Sequence, residues 1–107
     1  MKHTNKNKQS TSRVGDIAEH YAITWLWDNG YEVFLNPGAN GPIDLIAYKD
    51  GECILVDVKT CRRRSKRSSH SWDCSKTRTP LQKELGVVLL GFNPQTRKLR
   101  WIQHRET

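Results

Sequence analysis

Two runs of apolar residues flank the dipeptide Asp50-Gly51 and organise the rest of the chain. Residues 43–49 and 52–60 read as strands. Asp-Gly between them signals a two-residue type I′ hairpin, whose central residues both need positive φ. Such a turn fixes the register, so Lys49 faces Glu52, Ile46 faces Leu55 and Asp44 faces Asp57. Directly opposed side chains share a face, which puts the Asp44 and Asp57 Cβ atoms roughly 5 Å apart. Lys59, two residues past Asp57, points the same way. The run Ile-Leu-Val-Asp-Val-Lys ending at Lys59 has apolar residues on both parities, which argues against a wet face there.

Upstream, small and apolar residues recur at helical spacing. Gly15, Ala18, Ala22 and Leu26 form one stripe, with Glu19 in its middle. Ser12 or a neighbour serves as the cap and Gly30 as the stop. Trp25 and Trp27 read as packing residues. Residues 31–35 alternate as a short strand, and residues 36–42 form a loop by their turn chemistry. Its glycines allow backbone to approach a phosphate, although turn-making explains them equally well. Downstream, Thr79-Pro80-Leu81-Gln82 has the form of a capped helix start, and Gly86 ends it. The continuous run 87–92 reads as a buried central strand, and 99–103 as a final one. The order predicts an α/β domain: a central mixed sheet of about five strands flanked by helices.

The chain has 107 residues, enough for one domain with one modest core. Residues 1–12 carry Lys2, Lys6 and Lys8 with no acid and are expected to be a disordered basic arm; residues 13–107 are the domain. The net charge of +7 favours a polyanionic partner. Much of it falls in residues 60–79, where Arg62, Arg63, Arg64, Lys66, Arg67, Lys76 and Arg78 face only Asp73 in acid. That serine-diluted segment is expected to be a mobile loop, or a frayed extension of the Asp57 strand, that tracks phosphates without reading sequence. Trp72 within it could stack on an unpaired base or simply dock the loop. No apolar run approaches the ~20 residues of a membrane span, and the polar N-terminus is not a signal peptide. Cys53, Cys61 and Cys74 leave one thiol over in any disulfide scheme, so reduced thiols in the cytoplasm are the simpler expectation. Localisation is accordingly cytoplasmic: nucleoid-associated, or host cytoplasm if phage-encoded. Cys53 is expected to be a buried small residue. Zinc at Cys61, His70 and Cys74 is disfavoured because the spacing lacks a CxxC element and a fourth ligand.

The opposed aspartates carry the candidate chemistry. Like charges across a ladder repel, so the pair calls for a shared proton or a bound cation. Oxygen ligands at this spacing suit Mg²⁺ or Mn²⁺, and a neighbouring lysine adds a contact to phosphate or water. That is a site for metal-assisted phosphodiester hydrolysis. Pro42-Ile43-Asp44 followed by Asp57-Val58-Lys59 resembles the PD-(D/E)XK nuclease motif. It departs in placing one residue between proline and aspartate and in using Asp rather than the commoner Glu. Within that superfamily the chain is most similar to small Holliday-junction-resolvase-type endonucleases.

The resemblance implies a restriction-endonuclease-like core. It implies metal ligands at Asp44, Asp57 and the Val58 carbonyl, with Glu19 from the first helix completing the acidic cluster. Lys59 orients or deprotonates the attacking water, and Gln82 approaches from the following helix. The expected protein is a Mg²⁺-dependent endodeoxyribonuclease (Mn²⁺ substituting) without a small-molecule cofactor. It is expected to act as a homodimer on Holliday junctions or other branched DNA. The dimer surface would be Trp101 with Leu99, or the tryptophans of the first helix. The alternatives are a homing- or repair-type endonuclease cutting specific duplex DNA, and a basic nucleic-acid-binding protein without catalysis.

Overall fold

A computed structural model describes residues 10–37, 41–63 and 72–103. Nine of the residues expected to form the basic arm lie outside them, as do Arg64, Lys66, Arg67 and His70.

Helix α1 spans Thr11–Asp28. It starts earlier than expected: the Ser10 hydroxyl accepts from the Arg13 amide at 3.1 Å, so Ser10 is the cap and Ser12 is already helical. Strands β1 (Glu32–Leu35), β2 (Leu45–Lys49) and β3 (Glu52–Thr60) follow. Asp50 and Gly51 adopt φ values of 53° and 84°, the primed turn that their sequence demands. The register runs from Lys49 opposite Glu52 to Leu45 opposite Val56. After the short strands β4 (Arg62–Arg63) and β5 (Trp72–Asp73) come α2 (Pro80–Leu85), β6 (Val88–Phe92) and β7 (Leu99–Ile102).

The main sheet has five strands in the order β1-β2-β3-β6-β7. Only the β3–β6 pair is parallel, so the sheet is mixed, as expected. Helix α2 begins with Thr79 and Gln82 forming a reciprocal capping box and stops at left-handed Gly86, φ 77°.

Strand β6 explains its own apolar run. Leu90 joins Ala22, Ile23, Leu26, Leu45, Ala47 and Val56 in the core beneath α1. Its neighbour Leu89 points to the opposite face and packs with Cys61, Cys74 and Ile102, with Trp72 against them. Both faces of β6 are therefore covered.

The second cluster overturns the reduced-thiol expectation for two cysteines. Arg62 pairs with Asp73 across the β4–β5 ribbon. One further step in that antiparallel register sets Cys61 against Cys74, and the two form a buried disulfide. Gly91 makes room for it, since a Cβ there would meet the Cys74 sulfur and the Ile102 side chain, both at 2.9 Å. The disulfide also removes both cysteines from any zinc site. Closing a loop of 13 residues stabilises by roughly 3 kcal/mol. Iodoacetamide in denaturant without reductant should label Cys53 alone, and reduction should expose the other two thiols and lower the melting temperature. Labelling of all three without reductant would contradict the pairing.

Two more packing expectations fail. Cys53 is exposed beside the hairpin turn, one step from the Lys49–Glu52 pair. Trp27 is 61% exposed, while Trp25 packs edge-on to Trp101 at 5.7 Å. Trp101 also meets Tyr31 and is 39% exposed, so the residue expected at a dimer surface is partly used within the chain. Among the described residues no helix is long and apolar enough to cross a membrane.

Candidate active site

The hairpin delivers two carboxylates to one place. Asp44 immediately precedes β2 and donates its amide to the Val56 carbonyl at 2.8 Å. Continuing the β2–β3 register by one residue sets it opposite Asp57. Its carboxylate then accepts from the Val58 amide at 2.7 Å, which aims it along β3.

The segment that carries Asp44 is held on several sides. The Asn36 side chain donates to the Ile43 carbonyl at 2.9 Å, and the Asn36 amide donates to the Asp44 carbonyl at 3.0 Å. Gln82 donates to the Pro42 carbonyl at 2.9 Å, while its own carbonyl accepts from the Thr79 amide. Gln82 is therefore buried as a cap and tether two residues from Asp44, and it does not line the cleft. The capping box expected at Gln82 is present, and its amide nitrogen reaches the segment before Asp44.

Lys59 lies on the same side of β3, with Nζ 3.1 Å from Asp57 Oδ2. The contact has the distance of a hydrogen bond but not its angle, so the buried Oδ2 is ion-paired yet receives no aligned donor. A buried carboxylate oxygen in that condition is incompletely compensated.

The aspartates open onto a cleft of about 570 Å³. Asn36, Pro37 and Gly41 form part of its rim, and Thr11, Ser12, Gly15, Asp16 and Glu19 of α1 form another wall. Glu19 thus shares the cavity, as its place on the stripe predicted. It does not close a ready cage, because among the described residues no three His, Cys, Asp or Glu side chains converge to hold an ion. Asp16 was missed by sequence reasoning, although it follows Thr11, Ser12 and Gly15 on the same helical face.

The electrostatics match a site short of positive charge. Burial, then a hydrogen bond shared with Asp57, pushes the Asp44 carboxyl up to about 6; repulsion from Asp57 and Glu19 adds to this, and the Val58 amide opposes it. Burial and Asp16 raise Glu19 as well, with His20 opposing. A raised pKa means that folding favours the protonated acid. The stability this gives is present below about pH 4 and is lost as pH rises through about 6. In EDTA at pH 7.5, Asp44→Asn should therefore melt above wild type, and at pH 4 the two should coincide. Thermal melts across that range check it, and a wild-type advantage at pH 7.5 would contradict it.

The donor set fits a hard divalent cation. Two carboxylates and a backbone carbonyl at Val58 supply oxygen only, and one carboxylate oxygen, ion-paired with Lys59, receives no aligned hydrogen bond.

Of the basic residues, Arg62 and Arg63 are exposed on β4. With Lys59, Thr60, Asp73 and Ser75 they line a second cleft of about 540 Å³. Lys76 is exposed. Arg78 differs: its guanidinium donates to the Val87 carbonyl at 3.2 Å and its Nε is buried. It is half-buried and tied to the residue that precedes β6.

Known proteins resemble this chain in sequence and in fold. Residues 9–102 match a family model described as PD-(D/E)XK endonuclease. A UPF0102 protein of Roseiflexus castenholzii is 40% identical over 55 residues, covering 50% of this chain and 44% of that protein. A UPF0102 protein of Treponema pallidum is 39% identical over 51 residues, 46% of this chain and 40% of that one. The matched stretch thus spans less than half the length of either relative. A bacterial homing endonuclease shares the fold with a TM-score of 0.70 at 19% identity, over 88% of this chain and 69% of that one.

Proposed function

The chain belongs to the PD-(D/E)XK endonuclease family, and from that premise we propose that it hydrolyses phosphodiester bonds of DNA with Mg²⁺ or Mn²⁺. The observation that carries this reading is the opposed pair Asp44 and Asp57 beside Lys59, on a hairpin whose register a two-residue turn fixes.

Asp44, Asp57 and the Val58 carbonyl would hold the cation, with Glu19 acting through water. A divalent ion there lowers the pKa of its water and offsets charge on the phosphate. Lys59 orients the attacking water or takes part in its deprotonation, and its ammonium faces the phosphate's developing charge. Asn36 and Gln82 keep Asp44 in place through hydrogen bonds to the carbonyls of residues 42–44. Arg62, Arg63 and Lys76, with Arg64, Lys66 and Arg67 beyond the described residues, supply non-specific attraction to the backbone.

The finer proposal is branched DNA. One such site cuts one strand, and paired cuts need two sites, most simply in a C₂ dimer. A domain of 107 residues offers little surface for reading a long base sequence. Light scattering combined with cleavage mapping on a four-way junction and its separate linear arms tests this. A dimer making symmetric nicks only at the junction supports it. A monomer, or cleavage of linear duplex at one sequence, favours the homing- or repair-type reading. DNA binding without cleavage of any substrate favours the non-catalytic one.

A further inference from the structure

The ribbon beyond the acidic pair holds a feature that cleavage does not require. Trp72 and Arg63 are cross-strand partners on the β4–β5 ribbon. With Pro94 and Gln95 from the β6–β7 turn they line a cleft of about 380 Å³, counting the described residues. Trp72 is half-buried, packed against the disulfide, Leu89 and Ile102, so its ring is held rather than free. The opposite wall is also preset, since the Asn93 carboxamide accepts from the amides of Gln95 and Thr96 at 2.9 and 3.2 Å. Arg63 lines the neighbouring cleft as well, where Arg62, Arg63 and Lys59 outnumber the one lining acid, Asp73. Lys59 in turn touches Asp57.

A flat aromatic wall thus adjoins an anion-attracting cleft, and one arginine belongs to both. We propose that these two clefts together form a subsite for one unpaired nucleotide, with its base against Trp72 and its phosphate among Arg63, Arg62 and Lys59. A base held in a duplex stack cannot present its face to a side chain, whereas an unpaired base can, and stacking on an aromatic ring is tolerant of sequence. The subsite would favour DNA with unpaired residues next to the cut. This rests on the reading that the partner is nucleic acid, but not on catalysis.

The test is binding in EDTA. Fluorescence anisotropy compares a labelled single-stranded oligonucleotide, a baseless abasic strand of equal length, and a blunt duplex. Wild type should bind the base-bearing strand roughly tenfold more tightly than the abasic strand, the scale of one stacked base. Trp72→Ala should lose that difference and keep duplex affinity. Trp72→Phe, which retains a ring in the packed cluster, should keep most of it. Arg63→Ala should weaken base-bearing and abasic strands alike. If Trp72→Ala melts early, the wild-type comparison of the two strands and the Trp72→Phe result still decide. Equal wild-type affinity for both strands would overturn the subsite, as would Trp72→Phe weakening duplex and single strand equally. Absence of binding to any strand at low salt would instead overturn the nucleic-acid reading and the subsite with it.

Discussion

Asp57→Ala is expected to reduce metal-dependent cleavage by a factor on the order of 10³ or more while leaving the fold intact. A cation at such a site contributes several kcal/mol of charge stabilisation in the transition state, and about 1.4 kcal/mol is a factor of ten in rate. Asp57 sits mid-strand, with its side chain only 14% exposed, so no solvent-borne group replaces it readily. Stability should move little or even rise. Its Oδ2 has no aligned donor and faces Asp44 across the ladder, so removing the charge relieves repulsion. Lys59, at 31% side-chain exposure, can turn to water when its partner is gone. Cleavage rates and EDTA melts measured on the same preparation separate the two effects. Full cleavage by Asp57→Ala would remove Asp57 from the site, and loss of activity with loss of folding would be resolved by repeating the pair with Asp57→Asn.

Lys59→Ala should slow the bond-breaking step by about 10² to 10⁴, the range for a positioned proton-transfer group. It should also tighten Mn²⁺ binding, because Lys59 is the cation now paired with Asp57 Oδ2 at 3.1 Å. Slower chemistry with tighter metal is an unusual combination, and general unfolding would produce neither part cleanly. Lys59→Arg should not restore the rate, since a planar guanidinium cannot occupy the place of a compact ammonium. Single-turnover cleavage at saturating Mn²⁺, together with a calorimetric Mn²⁺ titration, measures both. A normal single-turnover rate in Lys59→Ala would exclude Lys59 from the chemistry.

The parts of the site that were legible in the sequence are those fixed by local rules. Asp50-Gly51 sets the hairpin register, and the register alone brings Asp44 opposite Asp57. Thr79-Pro80 with Gln82 sets the start of α2. Helical spacing puts Glu19 on the face that meets the cleft. What escaped depends on contacts distant in sequence. The Cys61–Cys74 pairing needs the β4–β5 register, which no turn signal announces in a serine-rich basic stretch. Gln82 was read as a cap with an open chemical role. Its tether to Pro42 lies 40 residues away, and only folding shows that both ends of its amide are engaged. The start of α1 was misplaced because Ser10, Thr11 and Ser12 are all competent caps.

The central claim is that the Asp44–Asp57 cleft is a divalent-metal site for phosphodiester hydrolysis. Incubating the wild-type protein with end-labelled supercoiled and branched DNA in Mg²⁺, Mn²⁺ or EDTA tests it most directly. The account predicts nicked or resolved products with either metal and intact DNA in EDTA. Cleavage undiminished by EDTA, or none with any divalent cation on DNA that the protein demonstrably binds, would contradict it.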